Sequence, residues 1–196
     1  MVKKKLKYLR YNFIKNQRIV LKKIILFLLI FSTLAFGESK IYLGTGVGYG
    51  DVVTKYSGVA TEEKFNEDTL RVKFGYGDRE AYAVELSLDY IDSDPKKYAF
   101  DISLLKAFEL GIYINPFAKV GFGAGALDNR DNAQKSLTYG SFNIGGGFFV
   151  PINEHFDIEL AYEYKNRSYQ REDESDGTES RTSHVNFLYL GVNLRY

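Results

Sequence analysis

From Leu188 to Tyr196 the chain alternates residue by residue without a break. Leu188, Leu190, Val192, Leu194 and Tyr196 share one face, and Tyr189, Gly191, Asn193 and Arg195 share the other. A side-chain period of two belongs to a β-strand and cannot form one stripe of a helix. The rhythm recurs through most of the chain, so whatever forms is a sheet with two chemically different faces. One face is oily. The other carries charges and runs of glycine, whereas water-facing strands favour Thr, Lys and Glu and avoid glycine runs, which weaken them.

Eight segments keep the alternation. The first, about 40–50, sets Ile41, Leu43, Thr45, Val47 and Tyr49 against Tyr42, Gly44, Gly46, Gly48 and Gly50. The others are predicted near 69–76, 82–90, 98–104, 118–126, 138–150, 156–165 and 188–196. At Leu104-Leu105 two apolar residues follow one another, which predicts a slip of phase and, over 105–115, a bulged strand end plus a turn. Residues 77–79 and 151–155 read as tight turns, and 51–68, 127–137 and 166–183 as long polar loops. Short connections at one end and long ones at the other are the pattern of strands that cross a bilayer.

Ahead of this domain lies a leader. Residues 1–23 hold nine Lys or Arg and no acid, and 24–36 are almost wholly apolar. That apolar run is too short to span a bilayer, which takes roughly 20 residues. Small residues Ala35 and Gly37 sit where a signal peptidase reads before Glu38, so 1–37 is predicted to be a cleavable signal peptide and 38–196 the mature domain. The alternative is an uncleaved anchor; either way the chain is exported. The mature chain keeps 17 of 26 basic residues and all 25 acids, a net charge of −8 (17 − 25), which argues against nucleic acid as a partner. The absence of cysteine removes disulfide scaffolds, thiolate metal sites and a lipidated N-terminal Cys.

In hydrocarbon an unpaired peptide group costs several kcal/mol, so strands can cross only as a closed ring. An eight-stranded ring is just wide enough to be filled by side chains. The inward face must then pair its own charges: Arg71, Lys73, Lys119, Lys165 and Arg195 are expected to meet Glu85, Asp89, Asp101, Asp157, Glu159 and Glu163 in one lumen network. Glycines at 44–50, 121–125, 145 and 147 are expected to leave room for long side chains from opposite strands, and tyrosines at 49, 76, 82, 90, 162, 164 and 196 to form girdles at the two interfaces. A soluble sandwich or lipocalin-like barrel, with the oily face inward, is the competing fold.

With the leader, the strands and the terminal pattern in place, residues 38–196 resemble the small OmpA/OmpX-like, porin-like outer-membrane β-barrel family of Gram-negative envelopes. The most specific parts are the alternate Leu188, Leu190, Val192, Leu194 and Tyr196, and the segment from Gly145-Gly146-Gly147-Phe148 to Tyr162-Glu163-Tyr164. The resemblance implies an all-β, eight-stranded antiparallel up-and-down transmembrane barrel. It also implies that the alternate C-terminal residues are an assembly signal read by the barrel-assembly machinery, and that loops act at the cell surface. Expected partners are outer-membrane lipid and lipopolysaccharide, with no nucleic acid, no cofactor, no metal and a monomeric state. A structural or adhesion-type role is expected, with a narrow channel for small solutes as the alternative and a lipid A-modifying enzyme as a lesser one.

Three motifs have blander readings that prevail. Gly44-Thr45-Gly46-Val47-Gly48-Tyr49-Gly50 keeps strict period two and lacks the G-x-G-x-x-G spacing that opens a helix, so it is no phosphate loop. The acidic run 172–177 lacks the alternating ligands of a calcium loop and reads as a solvated tip. For catalysis His155 and His184 are the available imidazoles; His155 falls at the short-turn end, and His184 stands beside Ser183. Neighbours in a strand face opposite ways, so Ser183 and His184 are expected not to pair, and no catalytic residue is assigned.

Overall fold

The structure, a computed structural model, describes residues 40–57, 62–128, 137–170, 172–174 and 177–196. Residues 1–39, which include the leader, and parts of three loops lie outside them. The strands are β1 (Lys40–Tyr56), β2 (Glu62–Gly77), β3 (Tyr82–Asp92), β4 (Lys96–Ala107), β5 (Asn115–Asp128), β6 (Thr138–Pro151), β7 (Phe156–Tyr169), a small hairpin β8 (Glu172–Glu174) with β9 (Gly177–Glu179), and β10 (Arg181–Arg195). Eight of them close into one antiparallel barrel in the order β1-β10-β7-β6-β5-β4-β3-β2. Each barrel strand pairs with its neighbours in sequence, and β10 closes on β1 from Tyr42↔Arg195 to Tyr56↔Arg181.

The register fixes the tilt. From Thr45 the paired positions run Val72, Leu88, Phe100, Ala124, Gly140, Ser168 and Thr182, and return to β1 at Lys55, ten residues further on. A stagger of ten over eight strands needs a tilt of about 40°, giving roughly 2.5 Å of height per residue. Alternation then sorts every strand: Leu43, Val47, Leu70, Val72, Leu88, Ile102, Phe122, Leu188 and Leu190 face outward and lie exposed, while Arg71, Lys73, Glu85 and Glu159 are buried inside. On β1 the oily outward run spans Ile41 to Tyr49, and with its neighbours it makes a belt roughly 20–25 Å tall. Tyr76, Tyr82 and Tyr196 stand outward at the turn end, and Tyr49, Tyr98 and Tyr164 toward the loop end.

Three sequence expectations are corrected. The ladder runs through Leu104↔Val120 and Leu105↔Lys119 without interruption, so there is no bulge. Leu105 is an inward residue, buried at 1% exposure among Ala107, Phe117 and Phe149, because the lumen face itself turns apolar near the turns. Second, most of 51–68 and 166–183 is strand: β1 runs to Tyr56, β2 begins at Glu62, β7 ends at Tyr169 and β10 starts at Arg181. Above the belt the outward face becomes polar (Asp51, Lys55, Lys64, Asn66) while Val52, Thr54, Ser183 and Val185 still fill the interior, so the wall continues past the oily belt. Third, the side chains over the glycines come mainly from adjacent strands and are often aromatic. A Cβ on Gly75 would meet the Tyr42 ring at 2.0 Å, one on Gly125 the Tyr139 ring at 2.2 Å, and one on Gly48 the Phe187 ring at 2.1 Å. A ring laid across a bare neighbouring strand covers backbone that glycine leaves open.

Candidate functional site

The lumen is built in layers from the turn end upward. At its base Tyr42, Ala83, Leu105, Ala107, Phe117, Phe149 and Ala161 form an apolar floor, with Phe117 and Phe149 stacked at 4.5 Å between ring centroids. Arg195 lies on this floor, its guanidinium 4.5 Å from the Tyr42 ring centroid, and its Nε donates to Asp157 at 2.5 Å.

The eleven inward charges named from the sequence are all buried and form one connected set that runs upward from Arg195 and Asp157 at the turn end. Asn193 Nδ2 donates to Asp157 at 2.6 Å and to Glu159 at 3.1 Å. Lys73 bridges Glu159 and Glu85, at 2.9 Å from the latter. Lys119 joins Glu85 at 2.7 Å to Glu163 at 2.9 Å. Arg71 holds Asp89 with two parallel bonds of 2.7 and 2.8 Å and Glu163 with a third of 2.7 Å. Lys165 completes the set on Asp101 at 2.8 Å and Asp89 at 3.1 Å. The period-two phase places each of these groups inward, and the common stagger brings residues far apart in sequence, such as Arg71 and Glu163, to the same level. Phe187 and Tyr189 lie within the set, with the Arg71 guanidinium 4.8 and 5.1 Å from their ring centroids.

A second charged tier lies higher and was missed from the sequence. Glu67 accepts from Arg167 at 2.6 Å and also pairs with Lys97, all three buried. Tyr139 and Tyr169, 5.2 Å apart between centroids, cap it together with Leu127. The signal was present: Glu67 is in phase with Arg71, Lys97 with Asp101, and Arg167 with Lys165. It was lost by stopping strands at bilayer length.

Counting both tiers, seven buried cations (Arg71, Lys73, Lys97, Lys119, Lys165, Arg167, Arg195) meet seven buried anions (Glu67, Glu85, Asp89, Asp101, Asp157, Glu159, Glu163) among the described residues. The sequence-derived eleven are one negative charge in excess; the upper tier supplies one positive. These fourteen side chains are at most 4% exposed, and at the turn end Arg195 also borders a small polar cleft with Lys40, Asp78, Arg79, Glu80 and Glu154. The pairing is not saturated: Arg195 Nη1, Glu159 Oε1 and both Asn143 amide atoms are buried without a protein partner.

Ser183 and His184 are split by the wall. The Ser183 hydroxyl is fully buried inside, 2.7 Å from that of Thr54, while His184 faces outward with Nδ1 at 2.7 Å from the Tyr164 hydroxyl. His155 sits in the β6–β7 turn, Nδ1 at 3.1 Å from the Arg195 carbonyl. Among the described residues no group of three or more His, Asp or Glu is arranged to hold a metal ion. The side chains of the acidic run 172–177 lie outside the described residues. Leu188, Leu190, Val192, Leu194 and Tyr196 all point out from β10 and its end.

No family model and no curated protein matches the chain. Solved structures do match. The structure is similar to Neisserial surface protein A at a TM-score of 0.54 with 14% identity, over 82% of this chain and 100% of that one. It is also similar to the N-terminal barrel domain of Pseudomonas aeruginosa OprF (TM-score 0.49, 15% identity, 77% and 97% covered) and to OprG of the same organism (0.48, 15%, 83% and 98%). At these identities the likeness is one of fold: this chain has the eight-stranded barrel fold of outer-membrane proteins, the fold its resemblance implied.

Proposed function

We propose that this is an integral outer-membrane barrel that does not conduct, and whose role is structural or adhesive, exercised by the wall and loops that rise above the membrane. The observation that carries the reading is the lumen: a neutral set of fourteen buried charges, packed among apolar side chains toward the turn end and under a tyrosine cap toward the loop end. A pore needs mobile water along its axis, and here ion pairs and rings occupy that volume. The oily belt matches hydrocarbon and would be insoluble as a water-facing surface of this extent.

On this reading the leader 1–37 is removed on export. The outward Leu188, Leu190, Val192, Leu194 and Tyr196 are read by the assembly machinery, and lipid and lipopolysaccharide surround a monomer. The opposite facing of Ser183 and His184 supports a non-enzymatic role. The test is planar-bilayer recording on purified, heat-modifiable protein. Silence is expected; sustained unitary currents would overturn the closed-lumen reading in favour of a narrow solute channel. Lipid A of unchanged acyl composition in cells with and without the protein is expected alongside, and a change would reopen the enzyme.

A further inference from the structure

Three turns connect strands at the end of the barrel where β1 begins and β10 ends, and they differ in chemistry. The turns after β2 and β6 present Asp78, Arg79, Glu80, Asn153, Glu154 and His155, and Arg79 Nη1 donates to the Asn153 carbonyl at 2.9 Å, tying the two together. Ile152 is their one large exposed apolar side chain. The turn after β4, residues 108–114, is the reverse: Phe108, Leu110, Ile112 and Tyr113 are 46, 59, 57 and 88% exposed, and Glu109 is its one charge.

The turn is continuous with the belt. Phe108 N–H donates to the Pro116 carbonyl at 2.9 Å, extending the β4–β5 ladder one step beyond the wall, and Gly111, at φ +67°, lies within the reversal. Outward-facing Lys106, just above, lays its ammonium 4.2 Å from the Tyr82 ring centroid and 5.8 Å from that of Phe108. An alkyl stem on an oily wall with its cation among rings is the arrangement of a side chain at a membrane–water boundary. That boundary fixes the height of the turn, which emerges into the headgroup layer of the leaflet on its side.

We infer that the 108–114 turn seats in the interfacial layer of the adjoining lipid leaflet, with Tyr113 and the Leu110/Ile112 pair as its contacts, while the other two turns stand in water. The occupant of the apolar turn is thus lipid, and the barrel is held at one edge. This inference rests on the membrane reading proposed above and adds an asymmetric anchor to it.

The chain contains no tryptophan, so single replacements report cleanly. Tyr113→Trp, the wall control Phe122→Trp and the water control Asn153→Trp are each reconstituted in phosphatidylcholine vesicles containing lipid brominated just below the headgroup. Folding of each is verified by the mobility shift on heating. Tyr113→Trp is expected to lose more than about half of its emission to the bromolipid and to emit to the blue of Asn153→Trp, as a residue at the aromatic interface would. Adding Leu110→Asp and Ile112→Asp to Tyr113→Trp should abolish both effects. If Phe122→Trp is quenched by bromolipid but Tyr113→Trp behaves as Asn153→Trp does, the anchor is refuted and the membrane reading stands, leaving the turn to a protein partner. If Phe122→Trp is not quenched either, both fail.

Discussion

The two charged tiers of the lumen are made from the same residue types but wired differently. In the lower tier most groups have two or more partners: Arg71 holds Asp89 and Glu163, Lys119 holds Glu85 and Glu163, and Lys165 holds Asp89 and Asp101. In the upper tier a single acid, Glu67, serves both Lys97 and Arg167. A buried charge is costly mainly when stranded, so the first arrangement tolerates loss of a member and the second does not. Balance over the whole lumen needs both, since one tier carries an extra negative charge and the other an extra positive one. Redundancy, more than the number of ion pairs, should therefore decide how much each charge contributes to stability.

The sharpest test is Glu67→Gln, which leaves two buried cations without an anion; a loss of about 3–5 kcal/mol is expected in the urea midpoint of the vesicle-inserted protein. Adding Lys97→Met restores neutrality and should recover a large part of that loss; no recovery would sink the charge-balance argument. Next is Gly123→Ala, whose Cβ would meet Asp101 Oδ1 at 1.7 Å and the Phe100 carbonyl at 2.8 Å. Backbone cannot yield there, so about 1–3 kcal/mol is expected by the same assay. Asp101→Asn should cost less than Glu67→Gln, roughly 1–2 kcal/mol, because Lys165 keeps Asp89 at 3.1 Å and Arg71 keeps both of its close partners. If it costs as much, the lower tier is not redundant and the comparison fails.

The smallest effect is outside. Lys55 and Glu62 pair at 2.9 Å on the exposed rim, and that contact holds the Glu62 carboxyl below the usual carboxylate range. Its contribution is present above the ordinary carboxylate pKa and fades as pH falls through the lowered one. Glu62→Gln and the parent should therefore differ barely at neutral pH, and not at all in acid.

What could be read from the sequence followed from contrast between faces. Where oil alternates with charge or glycine, as in β7 and β10, strand, phase and facing were all legible, and so were the eleven lower charges. At Leu104-Leu105 the inward face is itself apolar, contrast vanishes, and a continuous strand looks like a slip. Above the belt the opposite happens: Asp51, Lys55, Lys64 and Asn66 make the outer face as polar as a loop, which hid the strand ends and with them Glu67, Lys97 and Arg167. Partner identity was beyond the sequence, because period two says that Arg71 faces inward but not that the stagger of ten sets it against Glu163, 92 positions away. The rings over Gly75 and Gly125 were hidden for the same reason.

The even count of seven and seven has an electrical consequence. A voltage across a membrane pulls on a plug in proportion to its net charge, by about 2.3 kcal/mol per elementary charge per 100 mV. A set of buried charges that sums to zero feels no such net pull, whatever ion imbalance builds up on its two sides, and can respond only through its dipole. On the closed-lumen reading, neutralising one member would leave the lumen filling with a charge for the field to act on, and its response to voltage would acquire a preferred direction.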